Sequence, residues 1–359
     1  MKIAFVGDIA LFGKYDLSNN PKAMEQFTVV KRVLDDCDYR IGNLETPFVS
    51  SSPQVGNKSA YISSDPKNVE ILKLLKFDAV SLSNNHVFDF GLQGLNETIS
   101  VLEKNGIEWF GANGKDLIVD ELKIALHGYC SFNTNPIGMQ SENGGDGIHP
   151  LIAEEVRRKM LSFSSQGLFN ILSVHSGVEN VNMPSLDDII FARDLSASND
   201  YIYFGHHPHV VQGLEISNNS LLAYSLGNFC FDDIKDKSGQ DILVEQTDNS
   251  KSSFILIVEL INGRVDNFWR IPIYLGKEHI TINQSKVGEL IELSDSYLTY
   301  PPENYTSLRD NCIKNVVKLR NSNRNFRWII QRLSMSTLIR VVERRINTRK
   351  YKKLFSSKL

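Results

Sequence analysis

Six side chains of the types that bind divalent metal ions are spread through the first 210 residues of the chain. They comprise two carboxylates, one amide and three imidazoles: Asp8, Glu45, Asn85, His175, His207 and His209. Oxygen and nitrogen ligands without thiolates favour hard-to-borderline ions such as Mn²⁺, Zn²⁺ or Fe²⁺. A carboxylate that follows a strand can bridge two such ions, which together activate a hydroxide and stabilise a developing oxyanion. The pattern therefore predicts one or two divalent metal ions and hydrolytic or transfer chemistry.

A histidine next to the predicted amide ligand supplies the second half of that chemistry. His86 follows Asn85 directly, and Asp89 comes three residues later, in position to hold the imidazole ring. Gly91 permits the tight turn that this arrangement needs. We expect His86 to act as general acid for the leaving group, with Asp89 as its orienting partner. The competing interpretation, a hydrogen-bonded core histidine in a turn, explains the Asn-His pair less well.

Each polar cluster stands at the carboxyl end of a predicted strand. The relevant strands are predicted at residues 2–6, 39–44, 77–82, 169–174 and 201–204. Helical patterns alternate with them at residues 25–34, 66–75, 91–104, 150–161 and 186–196. In α/β sheets, ligands bind beyond the carboxyl ends of the strands. Five such coincidences favour one shared site, although Asp8 and Glu45 alone would also fit turn or capping positions, and His175 a core position.

The later part of the chain changes character. Strands are predicted at 221–226, 254–261 and 265–274, the last two joined by Asn262-Gly263, which is typical of a hairpin. Residues 232–252 are polar and acidic and are predicted to form a loop. From about residue 310 the pattern is helical and basic.

The net charge of −3 over 359 residues conceals a polarised chain. Residues 311–359 hold 14 basic residues and a single acid, Glu343, whereas residues 1–310 hold 25 basic and 41 acidic residues. The ordinary composition, 42% hydrophobic and 23% charged, excludes a collagenous, disordered or disulfide-rich chain. Four widely spaced cysteines favour a reducing compartment. An acid at position 8 and the lack of long apolar runs favour a cytoplasmic protein, with attachment to the inner face of the membrane as an option.

Several blocks, in order, resemble a known family. NNHVFDFG (84–91) and GHHPH (205–209) resemble the Asn-His and Gly-His-x-His motifs of calcineurin-like metallophosphoesterases. The closer resemblance is to the CapA family of poly-γ-glutamate capsule synthesis proteins. It rests on GDIALFG (7–13), GNLETPF (42–48), residues 81–98, SVHSGVEN (173–180), GHHPHVVQGLEI (205–216) and YSLGNFCFD (224–232). The resemblance covers about residues 1–275 and does not extend to 276–359.

The resemblance implies roles for the matching residues. Asp8 and His209 would bind one metal ion, Asn85, His175 and His207 the other, and Glu45 would bridge the two. His86 would be the acid, Lys58 and Asn43 would contact the substrate, and Glu179 would support the ligands without binding metal. Two departures stand out: Ala10 replaces the histidine of an Asp-x-His motif, and Ser176 replaces the tryptophan of His-Trp-Gly.

The basic tail permits several interpretations. Its positive face could simply be solvated, or the tail could fold back on the acidic body. Alternatively, the apolar residues Ile330, Leu333, Leu338, Val341, Val342 and Ile346 recur at helical spacing among arginines, which is typical of peripheral contact with anionic lipid. Nucleic-acid binding is the least favoured, because no known motif frames the nearby aromatic residues.

These observations predict an α/β sandwich of metallophosphoesterase type, with mixed central sheets flanked by helices and a helical basic C-terminal extension. We expect a domain at 1–275, a linker at 276–310 and the basic extension at 311–359. The function expected is a metal-dependent hydrolase or transferase that makes, releases or remodels a capsular or cell-envelope polymer. Its substrate would be an anionic polymer or a phosphoester. The alternative is a non-catalytic assembly subunit of a membrane-bound capsule synthase.

Overall fold

The computed structural model of the protein describes residues 1–58, 60–140, 145–235, 242–282, 284–322 and 335–355. In chain order the strands are β1 Lys2–Ile9, β2 Tyr39–Leu44, β3 Ala79–Ser81, β4 Glu108–Phe110, β5 Leu117–Val119, β6 Ile124–Cys130, β7 Phe169–His175, β8 Tyr201–His206, β9 Leu214–Ser217, β10 Ser220–Ala223, β11 Asn228–Cys230, β12 Ile234–Lys235, β13 Ile242–Val244, β14 Ser252–Ile261, β15 Arg264–Leu275 and β16 Ile280–Ile282. The helices are α1 Thr28–Asp35, α2 Val69–Leu74, α3 Gly91–Lys104, α4 Ala153–Ser165, α5 Leu186–Ser196, α6 Asp248–Lys251, α7 Ser285–Tyr297, α8 Pro302–Ser322 and α9 Met335–Leu354.

Two mixed sheets form the centre of the fold. In the first, the strand order is β16-β15-β14-β1-β2-β3-β4, with β11 pairing beside β1. In the second, the order is β5-β6-β7-β8-β10-β9. Strands β1 to β4 run parallel to one another, as do β6, β7 and β8. Their carboxyl ends therefore lie at one edge of each sheet, which is where a ligand site is expected.

The sheets pack face to face, and helices cover their outer faces. Apolar side chains of both sheets share one buried cluster, with Phe5 on β1 lying 5.0 Å from Phe204 on β8, ring centre to ring centre. A second cluster joins the first sheet to α1, α2 and α3. A third joins the second sheet to α4 and α5. Strands β1, β6, β7 and β8 are buried on both faces, which explains their continuous apolar runs. The predicted α/β sandwich is confirmed.

Local sequence signals account for several helix boundaries. Helix α5 begins after Ser185, whose side chain accepts a hydrogen bond from the Asp188 amide, and Asp187 and Asp188 lie in its first turn. Helix α3 ends at Asn105, before Gly106 with φ +69°. Both helices coincide with the predicted ranges 186–196 and 91–104.

Two glycines allow a connecting segment to pass between the sheets. A Cβ atom at Gly7 would lie 1.8 Å from the Gly227 carbonyl oxygen, and one at Gly205 would lie 1.8 Å from the Tyr224 carbonyl oxygen. Because no side chain fits at either position, residues 224–228 can bond to both sheets. The Asp8 amide donates to Gly227 O at 3.0 Å, and the Leu226 amide donates to Gly205 O at 3.3 Å. This seam, residues 224–228, brings Asn228 next to Asp8 in the strand register.

The predicted linker at 276–310 differs from what the structure has there. The segment contains β16, α7 and the beginning of α8. Val287 and Ile291 of α7 are buried in the cluster between the sheets, and Asp295 accepts a hydrogen bond from the Leu214 amide at 2.8 Å. The apolar spacing of α7 packs this segment on the domain, so it does not act as a spacer. The predicted loop at 232–252 likewise contains the β12–β13 pair and the short helix α6.

The basic extension folds back on the body. Tyr305 of α8 donates to the Pro184 carbonyl oxygen at 2.8 Å. Tyr351 of α9 donates to an Asp187 carboxylate oxygen at 2.7 Å, and Phe355 lies buried with its ring 5.0 Å from that of Phe191. The predicted apolar positions Ile330 and Leu333 lie outside the described residues. Among the helices of the described ranges, none has the length and apolarity that crossing a membrane would require.

Replacing Gly7 by alanine should destabilise the seam. The added methyl group would collide with backbone, which cannot move aside as a flexible side chain can, so we expect Gly7→Ala to lower the free energy of unfolding by about 1–3 kcal/mol or more. The matched control is Gly288→Ala in α7, where a Cβ meets nothing within 4 Å. That change should stabilise the protein by up to about 1 kcal/mol through helix propensity. Urea unfolding of both variants measures the difference, and equal stabilities would contradict the close approach at Gly7.

Candidate metal centre

The carboxyl ends of four parallel strands converge on one site. In the first sheet, Asp8 on β1 pairs in register with Asn43 on β2, and Glu45 directly follows β2. In the second sheet, His175 ends β7 and pairs in register with His206, which ends β8. The two sheets thus supply carboxylates from one side and imidazoles from the other. All six predicted metal ligands lie at this edge.

Three of the predicted ligands form a compact group. Ligand atoms of Asp8, Glu45 and His209 lie within 4.8 Å of one another, and both carboxylates are fully buried. His209 Nδ1 is 3.3 Å from Asp8 Oδ2, and its Nε2 is 3.9 Å from Glu45 Oε1. Two carboxylates and one imidazole are a donor set that Mn²⁺, Zn²⁺ and Fe²⁺ accept.

Asp8 is held by several donors. Asn43 Nδ2 donates to Asp8 Oδ1 at 2.8 Å, and the His207 amide donates to Oδ2 at 3.3 Å. His206 Nδ1 lies 3.4 Å from Oδ1. Burial raises the pKa of Asp8, but the close His206 and His209 rings outweigh it and hold the pKa well below its usual range. Asp8 is therefore an ionised carboxylate in a fixed orientation.

Glu45 has the opposite environment. Among the residues that the structure describes, neither of its carboxylate oxygens has a hydrogen-bond partner, although both are buried. Burial and, to a smaller extent, the charge of Asp8 raise its pKa well above the usual range. A buried carboxylate without donors is strongly destabilising, because it loses hydration and gains nothing in return. A cation beside Glu45 would supply the missing interaction.

A second group also borders Glu45. His175 Nε2 is 3.9 Å from Glu45 Oε1 and 2.8 Å from Asn85 Oδ1, and the rings of His175 and His207 are 4.9 Å apart. Burial lowers the pKa of His175 well below its usual value and that of His207 to about 4. Both rings are therefore neutral, as metal ligands must be. The predicted set Asn85, His175 and His207 is brought together, and Glu45 Oε1 lies 3.9 Å from an imidazole of each group.

The segment His206–His209 forms a turn with positive φ angles. His207 has φ +95° and His209 has φ +58°, on either side of Pro208. Positive φ values in residues other than glycine cost of order 1–3 kcal/mol each and persist where the surrounding structure imposes them. The turn still directs both rings to the site, with 6.0 Å between their centres. Burial lowers the pKa of His209, but Glu45 and Asp8 outweigh burial and raise it to about 10.

His86 and Asp89 form the predicted pair, and Lys58 joins them. Asp89 Oδ2 lies 2.8 Å from His86 Nδ1, and Lys58 Nζ is 2.5 Å from Asp89 Oδ1. With Nδ1–H donated to Asp89, the atom of His86 left for a substrate is Nε2. Burial first, and then the charge of Lys58, lower the pKa of His86, while Asp89 partly opposes them. The resting imidazole is therefore neutral.

The three remaining predicted site residues lie in different surroundings, and one of them, Asn43, has another role than the one predicted. Asn43 is fully buried, with its amide between Asp8 and Asn84, so it positions a ligand and does not face a substrate. The charge of Lys58 is paired with Asp89 and so is largely offset, although Lys58 borders the cavity described below. Glu179, predicted to support the ligands, lies at the solvent-exposed rim of that cavity.

Three positioning residues were not assigned from sequence. Asn84 accepts hydrogen bonds from the His86 and Val87 amides and donates to Asn43 and the Leu44 carbonyl, which ties the β3 turn to β2. Asn228 Oδ1 lies 3.0 Å from His209 Nδ1. His206, which was given no role from the sequence, contacts Asp8. Asn84 and Asn228 stand in the NNH and GNF strings quoted above, whereas the contact of His206 depends on tertiary packing.

The two departures from the family pattern have local explanations. Ala10 is buried in an apolar cluster with Ile62, Phe231 and Ile234, so this position offers no metal ligand. Ser176 donates to Asp188 Oδ1 at 2.8 Å, and Asn133 Nδ2 lies 3.4 Å from its hydroxyl. The wall that a tryptophan would occupy is thus a small polar network.

A cavity of about 630 Å³ opens over the two groups. Asn85, His86 and His209 line its floor, and its walls come from residues 134–138, 244–246 and one face of α9. The unpartnered Glu45 oxygens, the neutral His175 and His207 and the compact Asp8–Glu45–His209 group all fit a divalent metal centre. The site can therefore hold metal and admit a sizeable substrate.

Comparison with known proteins identifies the family of the chain. The family model described as bacterial capsule synthesis protein PGA_cap matches residues 2–233. The chain belongs to this family. It is 28% identical over 244 residues to the PGA biosynthesis protein CapA of Bacillus subtilis, covering 65% of this chain and 63% of that protein. It is 26% identical over 277 residues to the capsule biosynthesis protein CapA of Bacillus anthracis, covering 73% and 67%.

Among solved structures, the 5'-nucleotidase of Candida albicans is similar over 89% of this chain and 58% of that protein, with 12% identity and a TM-score of 0.42. A TM-score of this size does not decide a fold, and the architecture above rests on the strands of the chain itself. The chain spans 63% of the length of the Bacillus subtilis relative.

Glu45→Gln should separate metal binding from folding. Glutamine removes a buried unpartnered charge, so the metal-free variant should be at least as stable as the wild type at neutral pH. The difference in stability between the variant and the wild type should shrink as the pH falls towards the ordinary glutamate pKa. The raised pKa of Glu45 lowers the stability of the wild type only at pH values above that ordinary pKa. The stabilisation by saturating metal, about 2.7 kcal/mol at a hundredfold excess over Kd, should be lost.

Thermal unfolding with and without Mn²⁺ or Zn²⁺ after chelation checks this expectation. Glu292→Gln, an exposed position on α7, is the matched control and should keep both properties. Full metal stabilisation of the Glu45→Gln variant would contradict the role assigned to Glu45.

Proposed function

We propose that the chain is a metal-dependent hydrolase or transferase that acts on a capsular or cell-envelope polymer. It would break a phosphoester or an amide bond and pass the phosphoryl or acyl group to water or to another acceptor. The observation that carries this proposal is the buried pair of carboxylates, Asp8 and Glu45, which lie beside His209, a residue that lines an open cavity. The family and the names of its relatives support a role in capsule or poly-γ-glutamate synthesis. That this chain acts on poly-γ-glutamate, or on a polysaccharide, is part of the proposal.

The residues divide into two ligand groups. Asp8, Glu45 and His209 would hold one divalent ion, and Asn85, His175 and His207 would hold a second next to Glu45. When bound, the metal supplies a Lewis acid that lowers the pKa of a water molecule and polarises the scissile group. His209 is protonated in the metal-free site and would release its proton when it becomes a ligand.

His86 would handle the proton of the leaving group. Its Nδ1–H is held by Asp89, which fixes the ring, and Nε2 is the atom available to the substrate. The neutral resting ring takes up a proton when an anionic substrate approaches, because a nearby negative charge raises the pKa of an imidazole. It can then donate that proton to the departing oxygen or nitrogen. Lys58 and Asp89 keep the ring in place through this exchange.

A second candidate, a non-catalytic assembly subunit of a capsule synthase, is favoured by one observation. Ala10 lies in an apolar cluster and leaves the first ligand group without the additional histidine that an Asp-x-His motif would provide. A weaker metal site would suit a binding module. Metal content of the purified protein, measured together with turnover, discriminates between the two candidates.

His86→Ala should remove activity without removing metal. We expect kcat to fall by roughly 10²–10⁴-fold, the usual contribution of a general acid, with metal content unchanged because His86 is not a ligand. Turnover of bis(p-nitrophenyl) phosphate and of poly-γ-glutamate, before and after chelation, provides the measurement. His279→Ala, at an exposed histidine, is the control and should behave as the wild type.

Several results would count against the enzyme. A protein that contains no divalent ion and turns over neither substrate would support the assembly subunit. An unchanged rate in the His86→Ala variant, with metal bound, would reject the acid role of His86.

A further inference from the structure

The cavity over the metal centre has a wall that comes from outside the residues matched by the family model. The match ends at residue 233, whereas α9 covers Met335–Leu354. One face of α9 lines the same cavity as His86 and His209, and its charged members include Arg340, Arg344 and Lys350. The basic extension therefore borders the site, and its position there needs a functional explanation.

Helix α9 is anchored to the body by its last turn. Phe355 is 1% exposed and packs against Phe191, and Tyr351 donates to Asp187 at 2.7 Å. Lys350 Nζ lies 5.4 Å above the ring centre of Phe132, in the short turn that follows β6. These contacts hold the cavity-lining face in place, because a helix docked at one end by buried aromatic rings cannot rotate freely about its axis.

The cationic groups of this face form a row. Arg340, Arg344 and Lys350 span ten residues, which is about 15 Å of helix at 1.5 Å per residue. Arg340 also donates to Thr337 Oγ1 at 2.8 Å, which orients its guanidinium. Three acids share the cavity lining, Glu179, Glu245 and Glu343, so the row is a line of separate positive points and not a uniformly positive surface. Spaced charges match a chain with repeated anionic groups better than a single small anion.

We propose that α9 is the substrate-binding wall of this site, and that Arg340, Arg344 and Lys350 bind successive anionic groups of an extended polymer whose reacting bond lies over the metal centre. The proposal rests on the function proposed above, since it names the substrate class of the same site. Repeated carboxylates, such as those of an oligo-γ-glutamate, are the chemistry that several cationic groups along one wall can bind. The acids of the lining would repel other alignments of such a polymer and so restrict its register.

The opposite face of α9 offers a matched control. Arg345 and Arg349 are exposed, lie about half a turn away from the cavity-lining arginines and do not line the cavity. Leu338 and Val342 lie beside them and are 60% and 54% exposed. This outer face is the part of α9 that would contact anionic lipid. Variants of the outer face therefore test lipid binding separately from polymer binding in the cavity.

The experiment measures binding by full-length protein loaded with Mn²⁺. The probe is a fluorescein-labelled oligo-γ-glutamate long enough to span the row, followed by anisotropy, with free glutamate as competitor. Arg340→Gln/Arg344→Gln should weaken binding by roughly five- to tenfold and reduce its salt dependence. Arg345→Gln/Arg349→Gln removes the same charge and should leave binding unchanged. Phe355→Ala, which releases the anchor, should weaken binding as the first pair does, with metal content retained.

Two outcomes would overturn the proposal. Equal losses in both arginine pairs would mean that net charge alone attracts the polymer. Unchanged polymer binding in the Arg340→Gln/Arg344→Gln variant would reject the substrate-binding wall. If the same variant also co-sediments less with phosphatidylglycerol vesicles, the cavity-lining face of α9 binds lipid instead. The protein could also bind the polymer through Arg340 and Arg344 without turning over any substrate. That result would reject the proposed hydrolase but support the substrate-binding role of α9, so the experiment tests the two proposals separately.

Discussion

The interaction on which the site depends is the burial of two carboxylates where the sheets meet. Asp8 is balanced by the Asn43 amide, the His207 amide and two imidazoles, whereas the oxygens of Glu45 have no donor. A fold that placed only apolar groups at this edge would avoid the desolvation of both charges. A cation between them would make the arrangement favourable, and folding and metal binding would then be coupled at this point.

The seam of residues 224–228 explains how ligands from two sheets reach one point. Gly7 and Gly205 remove the side chains that would otherwise separate the seam from β1 and β8. The seam then carries Asn228 to within 3.0 Å of His209, whose backbone would not adopt φ +58° without support. Close backbone packing therefore sets the ligand geometry, and the strained turn at 206–209 is held by contacts made elsewhere.

Local patterns in the sequence were sufficient for the strands that carry the site and for the residue types at their ends. Buried parallel strands appear in the sequence as apolar runs, and a polar residue follows each run; this is why Asp8, Glu45, Asn85 and His175 could be placed at one edge. The pairing of Lys58 with Asp89 and the contact of His206 with Asp8 depend on residues far apart in sequence. No periodicity encodes them, because they follow from how the two sheets pack.

The charge separation along the chain gains a structural meaning from α9. The body, residues 1–310, carries the excess of acidic residues, and the extension carries the excess of basic residues. Both parts line the cavity. Glu179 and Glu245 of the body line it together with Arg340 and Arg344 of α9. The predicted metal ligands lie within the part of the chain that the family model matches, whereas the α9 wall lies beyond it. A role of α9 in substrate selection would therefore be a property of this chain that the family match does not carry. In this chain the selection would depend on the spacing of positive groups along one helix.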